Sequence, residues 1–109
     1  MKKRKPKLTI PMIEVLNVLL EEPHKSHYGL EIAKSSGRST ATIYAILARL
    51  EHELNWVKSE WEKIDACEAG RPARCYYKIT SQGARAARIE IANTLSRMMP
   101  PLNLRHGVP

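Results

Sequence analysis

The side chains best placed to do chemistry fall in two stretches, Thr40-Ala41-Thr42 with Tyr44, Ala45 and Arg49, and then Arg71-Pro72 with Arg74. Hydroxyl and guanidinium groups donate hydrogen bonds, and phosphate oxygens and base edges accept them; a guanidinium can grip a phosphate through two bonds at once. Catalysis is much less well provided for. The chain has no Gly-rich phosphate loop, no nucleophile beside a plausible base and no carboxylate pair in a recognisable setting, so the sequence predicts no enzyme. His24, His27, His52 and His106 are scattered, and a zinc site normally takes four ligands at tight spacing, so neither metal nor cofactor is expected. Cys67 and Cys75 sit on opposite arms of one predicted hairpin, which permits a redox pair; two ordinary thiols are the plainer reading.

The chain has 109 residues, room for one core. A domain of this size leaves much of its surface exposed and often gains stability from a partner subunit. Eighteen Lys and Arg against eleven Asp and Glu give a formal charge of +7, which suits an anionic partner such as nucleic acid. No apolar stretch approaches the ~20 residues that span a bilayer, and the N-terminus lacks the apolar segment of a secretory signal. A cytoplasmic protein without a membrane partner is therefore expected, associated with the nucleoid when on DNA.

These residues need elements to position them. Residues 1–7 form a basic arm containing Lys3, Arg4 and Lys5; it is either a solvated tail or a collector of phosphates. Thr9 can cap a first helix, in which Met12, Val15, Leu16, Leu19 and Leu20 recur at helical spacing up to Pro23. A shorter helix over about 27–35 would bury Leu30, Ile32 or Ala33 and end by Gly37. Ser39 or Thr40 caps a third helix over 39–54, with Ile43, Ile46, Leu47, Leu50 and Leu54 on one face. Its other face, Ala41, Ala45, Ala48 and His52 flanked by Thr42, Arg49 and Tyr44, is slim and almost uncharged, as the floor of a major groove or a closely packed subunit would require.

Two strand-like runs come next, Trp56 to Ile64 and Arg74 to Ile79, joined by the turn Cys67 to Pro72. Trp56 and Trp61 read as wing-to-core packing. A last helix then carries Ala84, Arg88, Ile91, Leu95 and Met98 at alternating steps of four and three, a stripe that seeks a partner helix. Pro100 and Pro101 close it. The order gives a mainly α fold with a small β-hairpin, a winged helix-turn-helix over 8–80, a dimerisation helix over 81–99 and a tail over 100–109.

Together these segments resemble the PadR family of bacterial transcription regulators in its short form, over roughly residues 8–98. The resemblance rests on Leu8-Thr9, Pro23, His27 to Ile32, Ser39 to Tyr44, Leu47 to Glu51 and Gly70 to Gly83. It departs at Ala45, where the family commonly has proline, at His27-Tyr28-Gly29, and at Glu53-Leu54-Asn55-Trp56, which replaces a glycine-containing turn. The resemblance implies a homodimer held by the last helix, a palindromic operator in double-stranded DNA and repression of a nearby gene. Some relatives stack drugs or phenolic compounds in the dimer pocket. Here the terminal helix has no tryptophan or tyrosine, and the sequence does not support a small-molecule effector.

The interface expected from residues and resemblance together comprises Lys3, Arg4 and Lys5 of the arm, His27 and Tyr28 at the second helix, Ser39, Thr40, Ala41, Thr42, Tyr44, Ala45 and Arg49 of the third, and Arg71, Pro72 and Arg74 of the wing. Tyr44 has two readings, a hydroxyl for DNA or a ring packed under the second helix. A protein-interaction module on the same fold, acting as antirepressor or anti-activator, is the alternative function.

Overall fold

Thr9 starts the first helix as expected: its side chain accepts a hydrogen bond from the Met12 N–H at 3.3 Å, and Pro11 sits in the first turn, where a missing N–H costs nothing. This is a computed structural model, and it describes residues 7–98. The basic arm with Lys3, Arg4 and Lys5 and the tail over 100–109 lie outside the described residues. Helix α1 (Ile10–Glu21) buries Met12, Ile13, Val15, Leu16 and Leu19. Helix α2 (Gly29–Ser36) ends on Gly37, whose φ of 75° is a left-handed conformation that costs glycine little, and whose N–H closes on the Ala33 carbonyl at 2.9 Å. Helix α3 (Thr40–His52) is capped by Ser39, whose Oγ accepts from the Thr42 N–H at 3.2 Å.

The second helix does not begin at residue 27. His27 and Tyr28 form a short strand, β1 (His27–Tyr28), antiparallel to β3 (Cys75–Ile79), which also pairs with β2 (Val57–Trp61). The sheet therefore has three strands in the order β1-β3-β2, one more than the expected hairpin. Two residues are too few to show a period of two, so the sequence could not reveal this strand. The turn between β2 and β3 holds a single helical turn, α4 (Ala66–Ala69), which Asp65 caps through the Cys67 and Glu68 N–H groups. Helix α5 (Ser81–Met98) completes the described chain.

One core joins these parts. Met12, Leu16 and Leu19 of α1, Ile32 of α2 and Ile43, Leu47 and Leu50 of α3 meet Val57 and Ile79 at the wing base and Ala84 and Ala87 of α5. Of the three residues offered for the second helix, Ile32 and Ala33 are buried but Leu30 is 52% exposed. The two tryptophans also part company. Trp56 belongs to the core, whereas Trp61, at the far end of β2, is 64% exposed and does not pack there.

The join between α3 and the wing replaces a glycine with Asn55, which has a φ of 57°. Asparagine is the side chain that best tolerates this left-handed region after glycine. The Trp56 N–H then closes on the Leu50 carbonyl at 2.9 Å, which ties the short connection over 53–56 between α3 and the wing back onto the helix. Further out, Glu51 of α3 accepts from both the N–H (3.1 Å) and the hydroxyl (2.8 Å) of Ser59. Those two bonds fix the inner face of the wing to the helix.

Candidate nucleic-acid interface

Burial divides α3 into two faces. Ile43, Ile46, Leu47 and Leu50 point into the core, while Thr40, Ala41, Thr42, Tyr44, Ala45, Ala48, Arg49 and His52 are exposed. The outer face is as slim as its composition suggested. At its start the Ser39 hydroxyl is committed to the cap: besides accepting from Thr42 N–H, it donates to Thr42 Oγ1 at 3.0 Å. What this end offers a phosphate is therefore its first backbone N–H groups and the positive end of the helix dipole, together with the Thr40 hydroxyl.

Tyr44 packs against the start of the second helix and yet stays accessible. Its ring lies over Gly29 at the start of α2, so closely that a Cβ there would come within 2.5 Å of the ring, yet the residue is 42% exposed. A side chain in place of Gly29 would have to push the Tyr44 ring aside. Arg49 lies on the outer face beside Glu53, with its Nε 3.2 Å from the Glu53 carboxylate, and is exposed.

His27 is placed differently from the expectation. It is only 4% exposed, its Nε2 lies 3.4 Å from the Glu22 carbonyl and its Nδ1 3.9 Å from Glu31. A side chain so buried does not reach a duplex, and His27 instead seals the seam between α1 and α2. Tyr28 stays half-exposed: its ring meets the edge of Tyr76 at a centroid separation of 5.7 Å, and the Arg74 guanidinium lies 4.8 Å above it. A guanidinium held over an aromatic face loses little further freedom on meeting a phosphate.

At the wing, Arg71 and Arg74 have different surroundings. Arg71 makes a two-bond pair with Glu62, Nη1 to Oε1 at 2.7 Å and Nη2 to Oε2 at 3.0 Å, and the Arg74 N–H donates to the same carboxylate at 3.2 Å. The hydrogen bonds from Arg71 foremost, helped by the Arg74 N–H, hold the Glu62 carboxyl down to a pKa of about 2. Pro72 is exposed between them. The sequence reading did not pair Glu62 with Arg71; opposite charges on the two sides of one predicted turn were the available signal.

On α5 the predicted stripe is split. Ala84 is buried inside the chain and Ile91 is partly buried against the core, while Arg88, Leu95 and Met98 are exposed. Ala87 and Thr94, off the stripe, are buried with Ala84. Among the described residues no group of three His, Cys, Asp or Glu could hold a metal, and no helix is long and apolar enough to cross a membrane. Cys67 is exposed and Cys75 half-buried, both as free thiols.

Comparison with known proteins gives this geometry its setting. The family model described as the Transcriptional regulator PadR-like family matches residues 15–89, from α1 into α5. Comparison with curated proteins gave no match. A possible transcriptional regulator from Methanosarcina mazei Go1 superposes with a TM-score of 0.60 at 20% identity, over 84% of this chain and 73% of that one. The S. aureus MepR–DNA complex gives 0.61 at 18% identity, over 84% of this chain and 67% of that one. ZitR, a zinc-responsive MarR family member from Lactococcus lactis, gives 0.60 at 22% identity, over 88% and 62%. At these identities the shared property is the winged-helix fold.

Proposed function

The chain belongs to the PadR-like family of transcriptional regulators, which are not enzymes, and from that premise we propose that it is a dimeric repressor of a palindromic operator in double-stranded DNA. In this reading α3 enters the major groove and the wing lies on the backbone or the minor groove. The observation that carries it is the outer face of α3, where exposed Ala41, Ala45 and Ala48, flanked by Thr42 and Arg49 on one side and Tyr44 on the other, place no charged side chain along the middle of the face to hold a groove floor away. Thr40, Thr42 and Tyr44 supply hydroxyls and Arg49 reaches a phosphate. MepR, which shares the fold, has been solved with DNA, and this supports the same use of the surface here.

The homodimer is proposed through the exposed part of the α5 stripe, Arg88, Leu95 and Met98. Two copies related by a two-fold axis then present two α3 helices to two half-sites. The basic arm with Lys3, Arg4 and Lys5 adds phosphate contacts that carry no sequence information. Replacing Arg71 and Arg74 together by alanine is expected to weaken DNA binding while leaving the dimer intact; unchanged affinity removes the wing from the interface.

The test is a titration of the protein against the DNA upstream of its own gene and against a scrambled duplex, at two salt concentrations. Tight, salt-dependent preference for the upstream DNA is the expected result, because phosphate contact releases counterions. Equal affinity for both duplexes overturns autoregulation at that site. A protein-interaction module is the second reading, favoured by the pairing of Arg49 with Glu53 and of Arg71 with Glu62, which engages two of the guanidinium groups proposed for phosphate. Absence of DNA binding together with a salt-insensitive protein complex decides for it.

A further inference from the structure

Across the wing the register sets Lys58 of β2 directly opposite Lys78 of β3, although like charges that face each other on neighbouring strands destabilise a sheet. Strand alternation turns both side chains to the face opposite Ser59, whose hydroxyl reaches Glu51 of α3. On this outer face the first half of α5 adds Arg85 and, one turn on, Arg88. These four exposed cations line an open groove of about 780 Å3 that has no Asp or Glu in its walls. Lys25, Arg38, Arg49 and Arg71 each hold a carboxylate, whereas among the described residues Lys58, Lys78, Arg85 and Arg88 hold none. The nearest acids are elsewhere: Glu60 stands further along the outer face opposite Tyr76, and Glu22 is taken by Lys25 at 3.6 Å.

A local rule broken without compensation inside the chain is the usual mark of a functional site, and several unmatched cations around one concavity suit an anion of several charges. We propose that this groove binds a small molecule carrying a diphosphate or triphosphate, its oxygens on Lys58, Lys78 and Arg85. The guanidinium grips two phosphate oxygens at once and the ammonium groups act as point charges beside it. The volume falls within the ~300–1,000 Å3 range of small-molecule pockets. Pro23, Ile79, Ala84 and the 55% exposed Ile89 supply the apolar part of the walls, which suits an aliphatic body better than a stacked ring. Arg88 also belongs to the proposed dimer stripe, so the site is built on the other three; Arg85 lies about 15 Å before Leu95 along α5. None of the three is a proposed DNA contact, and the site stands without the DNA-binding reading.

The experiment is isothermal titration calorimetry of the DNA-free full chain with geranyl diphosphate and with inorganic pyrophosphate, at physiological salt. Saturable binding is expected, tighter for geranyl diphosphate. Lys58→Ala, Lys78→Ala and Arg85→Ala should each weaken it about tenfold or more, as loss of a charge-assisted bond requires. Lys34→Ala, which removes an exposed lysine of α2, should leave it unchanged. Because Lys58→Ala relieves the repulsion across the strands, its urea midpoint without ligand should equal or exceed that of the wild type, which separates lost binding from lost fold. Geranyl diphosphate should raise the wild-type midpoint and not that of Lys58→Ala. Absence of saturable binding overturns the site, and so does an equal loss in Lys34→Ala, the sign of general attraction to a basic surface. Equal affinity for the two diphosphates overturns the part given to the apolar walls and leaves an inorganic ion as the ligand. Weaker DNA binding by the three variants, with no binding of either diphosphate, assigns the cluster to the DNA backbone instead.

Discussion

The carboxylate of Glu62 receives two bonds from Arg71 and one from the Arg74 backbone, and this decides what charge the wing tip presents. Because its pKa is depressed from 4.5 to about 2, the pair contributes fully above the unfolded value near 4.5 and is lost as pH falls through about 2. A carbon-detected NMR titration of the Glu62 carboxyl should therefore show a midpoint well under 4; a midpoint at the ordinary value would mean that the pair does not form in solution. Glu62→Gln removes the competing carboxylate, leaving Arg71 free for phosphate. Tighter DNA binding is expected, with the salt dependence steepened by about one released counterion. Asn55 makes a second point at this scale. Since its φ is 57°, Asn55→Gly should leave the urea midpoint nearly unchanged, and Asn55→Val should cost about 1–2 kcal/mol. Equal stability of the two variants would show that the turn can adopt another conformation.

Among the elements, α5 and the wing approach closely at Gly83 and Trp56. Thr80 caps α5 by accepting from the Gly83 N–H at 2.8 Å, while its own N–H and hydroxyl donate to the Trp56 carbonyl at 2.9 and 3.2 Å. That arrangement draws Gly83 onto the Trp56 backbone, where an added Cβ would stand 2.6 Å from the Trp56 Cα. Backbone does not swing aside as a flexible side chain does. Gly83→Ala should thus destabilise the fold by about 2 kcal/mol, within the usual range for overpacking a tight contact, as measured by chemical denaturation. A neutral result would mean that α5 pivots on the wing base. Between α2 and α3 the contact is with a side chain instead, the Tyr44 ring over Gly29.

The whole molecule depends on how α5 uses its two sides. Ala84, Ala87 and Thr94 are buried and Ile91 is partly buried, while Ile89, Leu95 and Met98 are 55%, 39% and 53% exposed; the proposed dimer uses Leu95 and Met98. Leu95→Glu should give a folded monomer in analytical ultracentrifugation, and its affinity for a two-half-site operator should fall about a hundredfold or more, because the second half-site is then no longer bound intramolecularly. A variant that remains dimeric would move the interface elsewhere on α5. Ala84 is not used in this test, since its methyl group is spent inside the chain.

Three helices, the wing, the exposed alanine face of α3 and the family were all legible in the amino-acid order, because each of these is written locally. A stripe of Ile43, Ile46, Leu47 and Leu50 repeats within a few residues, Thr9 and Ser39 cap the helices they precede, and Tyr44 and the Gly-Arg-Pro run are motifs at fixed spacing. The third strand, the burial of His27, the exposure of Leu30 and Trp61, the Glu62–Arg71 pair and the split of the α5 stripe came from the folded chain only. All of these depend on which surfaces meet across the chain. A period of 3.6 says which residues share a face, but the partner that covers the face is set by contacts between distant segments, and β3 must be in register with β1 and β2 before any of them exist.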